Sequence, residues 1–120
     1  MSDRPLLFHN KASCSKCAGA LELLRGRGIE PDVVDLTLQP PGETQLRELV
    51  RLTGGQARAL VRTGEAAYAA CGLDDASSDD ALIAAMAAHP ELIERPILVH
   101  AGRAVVGRPP ERVLELFDGA

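Results

Sequence analysis

Residues His9 to Cys17 read HNKASCSKC, and Cys14 and Cys17 are the residues whose type and spacing best suit covalent chemistry. Thiols at C-x-x-C spacing form a redox pair or half of a metal site. Cys14 falls where a helix should begin, and the unpaired backbone N–H groups of a helix start stabilise a thiolate, the reactive form of the side chain. Lys16 and His9 are close in sequence and add positive potential. Cys17, about one helical turn further on, can attack a species held on Cys14 and release it as a disulfide. It also fits a small packing residue on the helix's inner face. A zinc site needs a second pair of ligands, and His9, Cys71, His89 and His100 show no matching spacing, so no metal is expected. Cys71, in YAACGL, reads as a packed core thiol. His89 reads as a helix-end residue and His100 as a strand residue, neither with a role.

A redox pair does not identify what it acts on. Arg62, Arg95 and Arg108 fall in separate segments, and the last two stand directly before prolines. A residue before proline is pushed toward extended backbone, which places these arginines at junctions between elements. Junctions at one end of a sheet are where α/β sites assemble. Guanidiniums converging on a thiolate would receive a tetrahedral oxyanion, because Arg meets such oxygens in a bidentate way. Spacing alone does not gather them, and ordinary surface arginines among the 13 basic residues would look the same.

The elements that must position these residues follow from hydrophobic pattern. Pro5–His9 reads as a buried strand and Asp32–Leu36 as a second, with a helix between them marked by Cys17, Ala20, Leu21 and Leu24. That is a strand–helix–strand unit with a parallel pair. After the break at Pro40–Gly42, Leu46, Leu49 and Val50 mark an amphipathic helix, and GQARALVR and EAAYAACGL suggest two short helical pieces. Ser78 reads as the N-cap of a further helix, with Asp79 and Asp80 in its first turn and Leu82, Ile83 and Met86 buried. Pro96–His100 and Arg103–Val106 read as strands joined by a hairpin at Ala101-Gly102. A final helix should follow Pro109-Pro110, with Val113, Leu114 and Phe117 facing inward. A cysteine pair at the first strand-to-helix junction of this order predicts an α/β, thioredoxin-like fold with a mixed four-stranded sheet. Residues 1–120 would form one domain with a helical insertion at about 40–95.

Composition narrows the partners. The 120 residues carry a net charge of −4 and have Phe8, Phe117 and Tyr68 as their aromatics, which argues against nucleic-acid binding and base stacking. No apolar run reaches the roughly 18–20 residues a membrane span needs, and MSDRPLLFHN is too weakly apolar for a signal peptide. An odd cysteine count fits a secreted disulfide framework poorly, so a reducing cytoplasm is expected.

HNKASCSKC, ARALVR, ERPILV and GRPPE, in this order and at these separations, resemble the arsenate reductase family of the glutaredoxin-linked type, from about Leu6 to Leu116. The Spx-type regulators and small thiol reductases share its superfamily. The resemblance implies that Cys14 attacks arsenate, with His9 and Asn10 in the loop that shapes it and Ser15 near the anion. It implies that Arg62, Arg95 and Arg108 bind the oxyanion, and that Pro96 is the cis-proline beside the active thiol. No cofactor would be bound. Glutathione would be the reducing co-substrate, glutaredoxin would remove it from the adduct, and arsenite would leave.

The chain departs from that pattern in places. Glutaredoxin-linked reductases usually have Ser at the position of Cys17; a Cys14–Cys17 disulfide would replace glutathione by a thioredoxin-type reductant. Many relatives have Arg where this chain has Ala18, and some have a longer tail after the last helix. The phosphatase-like arsenate reductases require Arg six residues after the cysteine, and Ala20 stands there. Two other readings remain at this level: a thiol reductase of disulfides or glutathione adducts, and a Spx-like redox switch binding RNA polymerase. Retention of all three arginines favours the oxyanion reductase.

Overall fold

Short aliphatic runs with alternating faces make the strands, and helices fill the spaces between them. In chain order the elements are β1 (Leu6–His9), α1 (Ser15–Gly26), β2 (Asp32–Asp35), α2 (Glu43–Leu52), a 3-10 turn (Ala57–Ala59), α3 (Ala66–Ala70), α4 (Asp79–Ala88), a 3-10 turn (Pro90–Leu92), β3 (Ile97–His100), β4 (Arg103–Val106), a 3-10 turn (Pro110–Leu114) and α5 (Glu115–Asp118). The structure, a computed structural model, describes residues 5–9, 15–36 and 38–118. The chain divides into two compact units: Pro40–Glu94 is one, and the residues before and after it form the other.

The first unit holds a four-stranded sheet of order β2-β1-β3-β4. β1 runs parallel to β2 and antiparallel to β3, and β3 is antiparallel to β4. Register aligns Leu7 with Leu98 and Leu98 with Val105, so the three form one row on one face. That row packs with Ala20 and Leu24 of α1 and with Val113, all buried, as one core cluster. Ala20 and Leu24 are four apart and so share a helix face. α1 closes with a Schellman motif: Ile29 N–H donates to Leu24 O and Gly28 N–H to Arg25 O, with Gly28 at φ +75°. Ile29 then packs against the core, which fixes the direction in which the chain returns to β2. Ala101 and Gly102 both have positive φ, so the expected hairpin is a type I′ turn.

In the second unit, α2 buries Leu46, Leu49 and Val50, and α4 buries Leu82, Ile83, Ala85 and Met86. α4 packs against α2 and against both 3-10 turns of this unit. Ser78 caps α4, its hydroxyl accepting from Ala81 N–H at 3.2 Å. Asp79 accepts from Ala57 N–H at 3.3 Å, tying the start of α4 to the first 3-10 turn.

Local details differ from expectation at several points. Cys71 is exposed, not a packed thiol. It follows α3, five small or half-exposed residues none of which is buried, so nothing draws that end of the helix inward. The helical piece expected in GQARALVR is a 3-10 turn of only three residues, and the rest of the segment enters a β-bridge, Val61 to Ile93. The closing helix is a 3-10 turn continued by the four residues of α5, and its three apolar residues face inward as expected: Val113 is fully buried, and Leu114 and Phe117, half-buried, pack against the same core. Phe117 stacks on His100 at 4.8 Å between ring centres, so that strand histidine has a packing role.

Candidate active site

At one end of the sheet, the end of β1, the start of β3 and the end of β4 converge. His9 closes β1 beside Asp35, and its carbonyl accepts from Leu36 N–H at 2.8 Å. Phe8 pairs with Ile97, and the same register carried one residue further sets His9 level with Pro96. The Arg95–Pro96 and Arg108–Pro109 peptide bonds are both cis. Gly107 N–H donates to Pro96 O at 2.8 Å, and Arg108 Nη1 donates to Arg95 O at 3.2 Å. These two bonds bring together Arg95, Pro96 and Arg108, which are separated by a whole hairpin in the sequence. Arg95 is only 8% exposed, an unusual position for a guanidinium and one expected only where its charge is matched.

Gly107 makes this approach feasible. A Cβ at that position would lie 2.8 Å from Val113 Cγ1 and 2.9 Å from Pro96 Cγ, inside ordinary contact distance. Gly107→Ala is therefore expected to push the Arg108 segment away from Pro96. Its cost should be about 1–3 kcal/mol, the usual range for overpacking, read as a lowered midpoint in urea unfolding. A wild-type midpoint would show that the segment moves without resistance.

Arg62 belongs to the second unit. Its N–H donates to Leu92 O at 2.7 Å, and Glu94 N–H donates to Leu60 O at 2.6 Å, on either side of the Val61–Ile93 bridge. Its guanidinium lies 3.3 Å from Glu65 Oε1 and 3.5 Å from Glu94 Oε1.

Asn10 and Cys14 lie outside the described residues, in the segment between β1 and α1. Ser15 and Cys17 are the first and third residues of α1. The three residues that sequence reasoning passed over are Gly107, Glu65 and Glu94. GRPPE and ERPILV carried the signal for two of them, a glycine and an acid next to the arginines. Glu65 carried only its i+3 spacing from Arg62. Among the described residues no group of three His, Cys, Asp or Glu side chains could hold a metal ion, and no helix is long and apolar enough to cross a membrane.

A sheet of order β2-β1-β3-β4, with a helix following β1 and a cis-proline leading into β3, is an α/β fold of the thioredoxin-like class. Residues 4–116 match the ArsC family, and the chain belongs to it. The Uncharacterized protein YfgD of Escherichia coli K12 is 43% identical over 118 residues, covering 97% of this chain and 98% of that one. An arsenate reductase of Neisseria meningitidis serogroup A is 42% identical over 109 residues, 89% of this chain and 92% of its own. The solved arsenate reductase from Vibrio cholerae superposes with a TM-score of 0.87 at 44% identity, covering 96% of this chain and 98% of that one.

Proposed function

We propose that this oxidoreductase reduces arsenate to arsenite, with Cys14 as nucleophile and Arg62, Arg95 and Arg108 as the oxyanion's ligands. The observation that carries the reading is the junction of Arg95–Pro96 with Gly107–Arg108. There two arginines, each before a cis-proline, are tied together at the sheet end from which β1 leads toward Cys14. Similarity to arsenate reductases over most of the chain supports the same substrate.

The chemistry follows from the residue types. α1 begins at Ser15, the residue after Cys14, and its orphan N–H groups favour a thiolate at its start. The Cys14 thiolate attacks arsenic, an arsenate hydroxyl takes up a proton from solvent and leaves as water, and an S–As(V) bond replaces the As–O bond, with arginine neutralising the anion. A second thiolate then attacks Cys14 Sγ. The S–As electron pair stays on arsenic, which leaves as arsenite, and the two sulfurs become a disulfide. His9, Asn10 and Ser15 shape the loop around the nucleophile. In this reading the chain is one thioredoxin-like domain whose insertion supplies Arg62, working in a reducing cytoplasm without a bound cofactor.

The second thiol is glutathione, afterwards removed by glutaredoxin, or Cys17, afterwards reduced by a thioredoxin. Peptide mapping by mass spectrometry after one arsenate turnover tests this step. The expected product is a disulfide at Cys14, to Cys17 or to glutathione. A Cys14–Cys17 crosslink assigns Cys17 the resolving role; a glutathione adduct alone makes Cys17 a packing residue. Arsenite formed with Cys14 left as free thiol would contradict the mechanism.

A further inference from the structure

Arg62 does not stand alone. Arg62 and Glu94 lie on either side of the Val61–Ile93 bridge, as diagonal neighbours across two antiparallel segments. Glu65 reaches the same guanidinium from three residues along the chain. The three side chains are 25–31% exposed, whereas the pairs Arg25–Glu30 and Arg47–Asp80 are 52–79% exposed. Partial shielding from water makes the Arg62 cluster less screened than those surface pairs.

Two carboxylates thus face one guanidinium. The separations of 3.3 and 3.5 Å exceed the roughly 2.7–2.9 Å of a closed charge-assisted hydrogen bond. The carboxylates therefore orient Arg62 without forming the short bidentate pair that a tetrahedral oxyanion forms. Given the reading above, in which Arg62 binds the oxyanion, we infer that Glu65 and Glu94 are positioning residues. They hold the Arg62 side chain and compete with the anion for it, so they set how tightly the anion is bound. An arriving oxyanion must share the guanidinium with two carboxylates or displace them, and their negative charge weakens the binding of a dianion more than that of a singly charged substrate.

The test measures arsenate affinity by calorimetry in the Cys14→Ser chain, where no adduct forms, and KM and kcat in the Cys14 chain. Glu65→Gln and Glu94→Gln, made separately, each keep the side-chain size and remove one negative charge. Each is expected to tighten arsenate binding and lower KM by roughly threefold to tenfold, the effect of a partly screened unit charge. Glu94→Asp, which retains the charge, should return affinity toward wild type. A merely structural role would move affinity the other way. Arg62→Ala separates the two failures. If it weakens binding while neither Gln variant tightens it, the competition is overturned and the oxyanion role of Arg62 stands. If it leaves binding unchanged, the oxyanion role fails and the competition with it.

Discussion

Cys14→Ser removes arsenate reduction by the purified protein, with a loss of about a thousandfold or more. Losses of this size follow removal of a nucleophile whose neighbours act as a unit with it. Serine keeps the size of the side chain but fails at both steps. Its hydroxyl is not ionised at neutral pH, so it does not attack arsenic. It also forms no disulfide, so no electron pair is delivered to arsenic even if an ester forms. The measurement is arsenite produced per enzyme in the presence of excess reductant, with Cys17→Ser and Cys71→Ser assayed beside it. Cys71 is exposed and follows a helix with no buried residue, so its replacement is expected to leave turnover at wild-type level. Appreciable turnover by Cys14→Ser would end the assignment of the nucleophile.

Arg95→Ala carries the second largest effect, a rise in KM for arsenate of roughly tenfold to a hundredfold. That is the loss of about 1.5–3 kcal/mol from a hydrogen bond to a charged partner. The bond from Arg108 ends on the carbonyl of Arg95, and that carbonyl survives the substitution. Pro96 O likewise still accepts from Gly107 N–H, so the junction is expected to persist and the melting transition to stay cooperative. Arg95→Lys keeps a charge but not the planar fork, and should recover only part of the affinity. Unchanged arsenate affinity in Arg95→Ala would move the substrate from an oxyanion to a disulfide or glutathione adduct.

Much of the first unit was legible because its signals are local. Leu7, Leu98 and Val105 stand in short apolar runs, Ala20 and Leu24 repeat at helical spacing, and Gly28 and Ala101-Gly102 stand where the chain has to turn. Residues that act by long-range approach were harder to read. Gly107 looks like any loop glycine until Pro96 and Val113 are placed against it. Glu94 gains its meaning only from the Val61–Ile93 bridge, which pairs segments with no repeating pattern. The same bridge explains why the helical turn of ARALVR stops at Ala59: Arg62 N–H is bonded to Leu92 and not to its own preceding turn. Cys71 misled because small apolar neighbours resemble a core stripe, although Ala-rich helices of this length offer little surface to bury.

The central claim is that a thiolate and arginines of this chain turn arsenate into arsenite. It is tested most directly by a coupled assay of the purified protein with NADPH, run once with glutathione, glutaredoxin and glutathione reductase and once with thioredoxin and thioredoxin reductase. Arsenite is quantified alongside NADPH. The account predicts one arsenite formed per NADPH oxidised with at least one of the two systems, and none when the protein is omitted. No arsenite above background with either system would contradict it.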